Sequence, residues 1–396
     1  MDIKITPAKL SGLAQMPPSK SYSHRALICA YLGGGEAIGA GDSEDIKATR
    51  ACLEAIKEKR ELFANESGST LRFMIPIALA VNKKVEVSGS ERLMARPLDD
   101  YFNIFDEKGI KYSLMGQTLT AEGELKGGIY KLRGDVSSQF ITGLLFALPL
   151  IEGDSEIVIT TPLESKAYVD MTIDIQRKFG IEIEEKEHGY FVRGSQKYKS
   201  ESYIVEGDFS QAAFFLAIGD IKLSNLNKAS IQGDKEIVEL YRKMGMEITN
   251  CEDGFISNGK THKNITADVS QIPDCVPALS AVMAVTKGEG RIVNAARLRI
   301  KESDRLRAMA EELTKLGASV TEGEDYLIIS GKEKLAGGVC SSHNDHRIAM
   351  ALASVSPYCE GDLIIKGADC VKKSMPDFWD KFRSLGGIAD EFILGE

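Results

Sequence analysis

The chain has 396 residues, 43% of them hydrophobic and 27% charged, with 49 basic and 58 acidic side chains for a formal net charge of −9. That is ample apolar material for sizeable cores, and at ~150 residues per domain it predicts two or three domains. The acidic balance excludes a general nucleic-acid or membrane-surface binder, which needs net or clustered positive charge, so every cationic cluster here needs a local explanation.

Taken in chain order, the opening Met1-Asp2-Ile3-Lys4 has none of the features of a secretion signal. The longest mostly apolar run, residues 140–151, falls far short of the ~20 residues of a membrane span. A soluble, cytoplasmic protein is expected. Seven cysteines in an odd count without C-x-x-C suggest neither a zinc ribbon nor a disulfide framework. His343 and His346 form one H-x-x-H, but no Cys or His at the usual spacing completes a ligand set, so no metal is expected.

Helices are predicted to begin near Ser21, Asp42, Ser69, Pro97, Ser138, Ser165, Phe209, Gly233, Cys275, Glu302, Asp345 and Ser374. Short strands at residues 85–87, 156–160, 291–294 and 363–366 fall between them. A helix-like stretch ending in Gly, followed by two strands and a second Gly, recurs at residues 102–123, 175–194, 240–259 and 313–331. The glycine pairs are Gly109/Gly123, Gly180/Gly194, Gly245/Gly259 and Gly317/Gly331, each 14 residues apart. The first Gly suits the left-handed position that ends a helix, and the strands then form a hairpin.

Together these segments make six helix–strand–helix units of ~70 residues, too long for a solenoid repeat. The first lacks its hairpin, and the last ends in a single strand at residues 392–394 that pairs with residues 3–5. That pairing puts both termini in one lobe. The chain then leaves this lobe near Pro17-Pro18 and returns after Gly194, through a polar segment and a short strand at residues 203–205. The expected domains are a discontinuous terminal lobe, residues 1–18 plus 207–396, and a middle lobe, residues 19–206. The class is α/β (α+β), with three repeat units per lobe.

The helix starts carry Ser19-Lys-Ser-Tyr-Ser-His-Arg25, Glu66-Ser-Gly-Ser-Thr-Leu-Arg72, Ser137-Ser-Gln139, Asp208-Phe-Ser210, Asp274 and Asn344-Asp-His-Arg347. Arg92 and Arg96, Lys166, Arg299 with Lys301 and Arg305, and Lys372 with Lys373 sit at the second set of starts. Capping alone explains Ser, Asp and Asn at such places. It does not explain the cations, which the macrodipole disfavours at a helix N-terminus unless an anion is present. A small substrate with several negative charges is the expected ligand. Pro17-Pro18-Ser19-Lys20-Ser21 is not a phosphate-binding Walker loop, and no dinucleotide fingerprint follows a strand.

The run Pro18-Ser-Lys-Ser-Tyr-Ser-His-Arg25 resembles the opening signature of the EPSP synthase family of enolpyruvyl transferases. So do Ser67-Gly-Ser-Thr-Leu-Arg72, Arg96-Pro97, Ser137-Ser-Gln139, Ser165-Lys-x-Tyr168, Pro273-Asp274, Lys301-Glu-Ser-Asp-Arg305, Asn344-Asp-His-Arg347 and Lys373-Ser-x-Pro376, in order along the whole chain. The resemblance implies two lobes of three βαβαββ units each, an inverse α/β barrel arrangement, with the active site in the cleft between them. It implies transfer of the enolpyruvyl group of phosphoenolpyruvate to the 5-hydroxyl of shikimate 3-phosphate, a step of chorismate and aromatic amino acid biosynthesis, by a monomer using neither metal nor organic cofactor.

By the same resemblance, Lys20, Ser21, Arg25, Ser137, Ser138, Gln139, Ser165, Tyr168, Asp274 and Lys301 contact shikimate 3-phosphate. Lys20, Gly68, Arg96, Gln139, Arg305, Arg347 and Lys373 contact phosphoenolpyruvate. Asp274 is the base and Glu302 the acid, with Lys20 as a further catalytic group. Two carboxyls with separate tasks need environments that push their pKa values apart. Departures stand at Ser69, where the family commonly has Thr, and at Arg297, where many members carry Asn. A sister family that acts on UDP-N-acetylglucosamine opens with Lys-Asn and has a reactive loop cysteine, whereas here Ser21 follows Lys20. A non-catalytic anion-binding scaffold built from the same repeats is the other alternative.

Overall fold

The computed structural model of the chain describes residues 1–392. It divides into two compact units, one of Pro18–Val205 and one of Met1–Pro17 with the chain from Glu206 onward. Pro18 and Glu206 each fall across the boundary from where the sequence placed them. The reason is local: Pro17 O accepts from Asp208 N at 3.0 Å. The Glu206 carboxylate is held by Asn227 at 2.8 Å, by Gln232 at 2.6 Å and by the Ser230 hydroxyl.

The middle unit carries α1 (Lys20–Gly33), α2 (Glu44–Glu58), α3 (Gly68–Asn82), α4 (Glu91–Met94), α5 (Asp99–Lys108), α6 (Ser138–Ala147) and α7 (Lys166–Lys178). The terminal unit carries α8 (Phe209–Leu216), α9 (Glu236–Lys243), α10 (Val276–Ala284), α11 (Arg305–Lys315), α12 (His346–Val355) and α13 (Phe378–Ser384). Helices α3, α6, α8, α10 and α12 are buried on nearly every face. An all-round apolar helix has to lie inside its domain. The sheets therefore lie outside the helices, and none of the described sheets closes on itself. No helix among the described residues is long and apolar enough to cross a membrane.

The five four-stranded sheets share one order of pairing, and in four of them the last two strands form a hairpin. Leu62–Phe63 runs parallel to Lys84–Ser88, which pairs antiparallel with Thr118–Glu122, which closes a hairpin with Lys111–Met115. The hairpins Ile183–Lys186/Gly189–Val192, Ile248–Cys251/Gly254–Ser257 and Ser319–Glu322/Leu327–Gly331 are built alike. The first repeat has no hairpin; its Glu36–Ile38 pairs only with Ser202–Ile204, parallel. The strand Leu10–Gln15 is absent from the sequence reading. It precedes α1 in the chain but pairs with Gly219–Ser224 of the terminal unit. At the chain crossing the leading strands of two repeats have thus been exchanged.

The expected partner of residues 3–5 lies earlier than predicted. Ile388–Phe392 pairs antiparallel with Asp2–Thr6, Ile3 opposite Glu391 and Ile5 opposite Ala389. Residues 393 and 394 are outside the described residues. Leu363–Lys366 flanks Asp2–Thr6 on the other side, which fully buries Ile3 and Ile5.

The four repeat glycines Gly109, Gly180, Gly245 and Gly317 have φ of +68°, +79°, +92° and +92°, the left-handed turn that ends each preceding helix. At Gly317 the nearest side-chain atom to an added Cβ is Lys332 Nζ at 4.0 Å, so space is not limiting. Gly317→Ala therefore isolates backbone strain. It is expected to lower stability by ~1–2 kcal/mol in urea unfolding at unchanged m-value. Wild-type stability would contradict the left-handed assignment.

Candidate active site

In the middle unit the helix starts are gathered by buried hydrogen bonds. Ser19 caps α1 and Ser67 caps α3, each accepting from a backbone N–H of the first turn. Ser137 Oγ accepts from Gln139 N at the start of α6. Gln139 then ties α6 to α3: its Nε2 donates to Ser69 Oγ at 3.0 Å, and its Oε1 accepts from Arg72 Nη1 at 2.9 Å. Arg72 also donates to Pro97 O at 3.0 Å and lies over the Phe140 ring. Gly68, Gln139 and the Arg96-Pro97 turn are thereby brought together.

Arg96 lies beside Gly68. A Cβ on Gly68 would be 2.5 Å from Arg96 Nη1. Arg96 Nε is buried with no hydrogen-bond partner among the described residues. Lys20 meets Asp45 at 2.7 Å, an acid the sequence reading did not single out. Ser138 is buried, and Ser165 stands at φ +55° immediately before α7.

Arg25 ties α1 to α7. Its side chain is buried, and it donates to Ser21 O at 2.7 Å, Tyr168 O at 2.8 Å and Thr172 Oγ1 at 2.8 Å. Burial lowers its pKa to about 10. It fixes the backbone of two other predicted site residues. His24 is not a helix-end residue: it is buried within α1, and its Nδ1 meets Thr49 Oγ1 at 2.7 Å. Burial, with Lys20 and Arg25 nearby, pushes its pKa well down. Thr49 continues to Thr70 on α3 at 2.7 Å, so His24 joins three helices.

In the terminal unit one guanidinium collects the acids. Arg305, the first residue of α11, is fully buried. Its Nε donates to Asp345 Oδ2 at 2.8 Å, its Nη1 to Asp274 Oδ1 at 3.0 Å and its Nη2 to Glu302 Oε2 at 2.8 Å. Asp274 lies in the short turn Pro273–Cys275 before α10, not at a cap. It also accepts from Lys301 Nζ at 3.4 Å and from Arg347 Nη2 at 3.0 Å, and its carbonyl accepts from Arg347 Nη1 at 3.0 Å. Helix α11 starts three residues later than predicted because Asp304, bound to Arg299 at 2.8 Å, is its cap. That leaves Lys301, Glu302 and Ser303 in an irregular segment facing Asp274 and Asp345.

Two further groups complete this half. Lys373 is buried and donates to Asn344 O at 2.6 Å. Arg297 donates to Ser270 O at 2.7 Å. Burial lowers the Lys301 pKa to about 8, with Arg305 and Arg297 adding to the effect and Asp274 opposing it. Burial also raises the Asp345 carboxyl, but Arg305 outweighs it and holds the group below the usual carboxylate range. Asp345 caps α12 at Arg347 N as well. The sequence motif contained this aspartate, but nothing in it signalled its role as the buried partner of a residue 40 positions earlier.

A family model described as EPSP synthase (3-phosphoshikimate 1-carboxyvinyltransferase) matches residues 54–382. The chain belongs to the EPSP synthase family. A 3-phosphoshikimate 1-carboxyvinyltransferase of Clostridium acetobutylicum is 50% identical over 100% of this chain and 99% of its own length. One from Clostridium kluyveri is 48% identical with the same coverage. A solved EPSP synthase structure from Acinetobacter baumannii has a TM-score of 0.79, covers 98% of this chain and 100% of its own, and is 24% identical, which speaks to the fold. The enolpyruvyl-transferase architecture that the motif resemblance implied is therefore the fold of this chain. Membership in this family decides against the UDP-N-acetylglucosamine reading.

In this EPSP synthase family member the Arg305–Asp345 pair has a defined pH signature. Asp345 has a depressed folded-state pKa, so its contribution is present above the unfolded value near 4 and is lost as pH falls through the folded value. Asp345→Asn leaves Arg305 short of a buried counter-charge and is expected to lose about 3–5 kcal/mol at pH 7. The gap from wild type should narrow in acid below pH 4. A constant gap in unfolding experiments across that range would contradict the pairing.

Proposed function

We propose that the chain transfers the enolpyruvyl group of phosphoenolpyruvate to the 5-hydroxyl of shikimate 3-phosphate and releases phosphate, as a cytoplasmic monomer acting on small anionic metabolites. Each unit burying its own apolar core supports the monomer. The observation that carries the functional reading is the convergence of Lys301, Arg305 and Arg347 on Asp274 in a chain of this family.

The proposed division of labour follows from the chemistry of each group. Ser137, Ser138 and Ser165, with Lys20, form a hydroxyl and ammonium nest suited to the phosphate of shikimate 3-phosphate. Ser21, Arg25, Gln139 and Tyr168 contact the same substrate, and Arg25 also bonds the Ser21 and Tyr168 carbonyls. Asp274 and Lys301 contact it as well. Arg96, Arg305 and Arg347 suit the phosphate and carboxylate of phosphoenolpyruvate by charge-assisted bonds. Lys20, Gly68, Gln139 and Lys373 complete that set.

In the addition step, the 5-hydroxyl oxygen attacks C2 of phosphoenolpyruvate and its proton passes to Asp274. A proton from Glu302 goes to the methylene carbon, giving a tetrahedral ketal phosphate. In elimination, Glu302 takes back a proton from the new methyl group while the C–O bond to phosphate breaks, and the departing phosphate, its oxygen stabilised by Lys20, takes up the proton held by Asp274. A carboxylate beside three cations is a weak base. When Arg305 and Arg347 turn their N–H groups to substrate anions, Asp274 loses that stabilisation and gains basicity. Substrate binding thus prepares the base.

The direct test is phosphate release from phosphoenolpyruvate. It should require shikimate 3-phosphate and be absent with UDP-N-acetylglucosamine. Binding of both substrates without release would leave a non-catalytic anion binder.

Asp274→Asn should fold and bind both substrates yet lose roughly 10²–10⁴-fold in turnover. Near-normal turnover would remove Asp274 as the base. Gly68→Ala places a methyl group against the Arg96 guanidinium, so the KM for phosphoenolpyruvate should rise at least about tenfold with the KM for shikimate 3-phosphate little changed. An equal effect on both would misplace Arg96.

The Lys301 ammonium is the binding form, with its pKa at about 8. Shikimate 3-phosphate affinity should therefore be full below that pH and fall about tenfold one pH unit above it. Calorimetry from pH 7 to 9 measures this, with Lys301→Met as the pH-independent control. A flat wild-type profile would take Lys301 out of the site.

A further inference from the structure

The Glu312 carboxylate has no part in the chemistry above. It is fully buried on α11. Its Oε1 accepts from Lys315 Nζ at 2.8 Å and lies 2.6 Å from His343 Nε2, and its Oε2 accepts from Ser341 N at 3.0 Å. Burial raises its pKa, but the Lys315, Ser341 and His343 bonds outweigh this and keep it below the ordinary value. Glu311 brings a further oxygen to within 4.8 Å of the Glu312 and His343 atoms. Lys315 already supplies the positive charge a metal would bring there.

Two of these bonds grip the turn between the strand Gly338–Ser341 and α12. In that turn His343 and Asn344 have φ of +50° and +54°. Two consecutive non-glycine residues in the left-handed region are strained and persist only when their surroundings hold them. His343 N donates to Ser341 Oγ at 3.1 Å, Asn344 N to Ser342 Oγ at 3.3 Å, and Ser342 N to Lys366 O at 3.0 Å. The turn directs the Asn344 carbonyl to Lys373 Nζ. The next residue is Asp345, which holds Arg305.

We propose that Glu312 is a positioning residue: through His343 and the Ser341 N–H it holds the left-handed turn that sets Lys373 and the Asp345–Arg305 pair for phosphoenolpyruvate. This rests on the assignment of Lys373 and Arg305 to that substrate. The inference concerns a carboxylate that touches no substrate and acts only through the turn.

Two variants test it. Glu312→Gln keeps the shape and one acceptor oxygen but removes the charge. His343→Asn keeps a residue that tolerates left-handed backbone but is too short to reach Glu312. Amide hydrogen exchange at Ser341 and Asn344 should accelerate at least tenfold in both, and the KM for phosphoenolpyruvate should rise roughly tenfold. The KM for shikimate 3-phosphate and the thermal midpoint of His343→Asn should stay near wild type. Unchanged exchange would overturn the proposal, and so would an equal rise in both KM values, which would make the role structural only. Should Glu312→Gln fail to fold, His343→Asn decides alone. A wild-type enzyme without turnover would refute the functional reading, and the exchange data would still decide whether Glu312 holds the turn.

Discussion

The rest of the terminal half-site depends on one fully buried guanidinium. Placing Arg305 out of water is tolerable only because Asp345, Asp274 and Glu302 each accept one of its N–H groups. The arrangement fixes four segments at once: the turn before α10, the irregular stretch before α11, the start of α11 and the start of α12. Asp345 makes this possible by meeting Arg305, capping α12 and accepting from Ser303 with one carboxylate. Arg305 and Arg347 are held by the protein's own acids, and both donate to the Asp274 carboxylate.

The middle half-site stores its charge differently. Lys20 has Asp45 as a partner at 2.7 Å. Arg96 keeps a buried Nε with no acceptor among the described residues, beside a residue without a side chain. Backbone N–H groups and serine hydroxyls at the starts of α1, α3, α6 and α7 add neutral donors. Among the described residues, Lys20 alone of these donors is engaged in an internal ion pair, with Asp45.

Local signals were legible in the sequence because their causes are local. The first helix of each repeat begins within one residue of its expected start, since capping residues and the apolar run that follows lie side by side in the chain. The glycines at a spacing of 14 mark hairpins because a left-handed helix end admits few other residues. Second helices were placed less well. At α11 and α13 the irregular stretches at residues 302–304 and 374–377 stand where a helix was expected. Non-local pairings were invisible. Leu10–Gln15 joins a strand some 200 residues away, Arg25 turns inward to Tyr168, and Glu312 meets His343 across 31 positions. No periodicity or motif carries such information; it arises only when the helices pack.

The central claim is that substrate anions take Arg305 and Arg347 from Asp274 and thereby free the base. A crystal structure with shikimate 3-phosphate and phosphoenolpyruvate bound tests this most directly. The account predicts guanidinium N–H groups of both arginines on ligand oxygens, lengthened contacts to Asp274, and the Asp345–Arg305 bond retained. Both arginines still 3.0 Å from the Asp274 carboxylate, as in the structure without ligand, with neither touching the ligand, would contradict it.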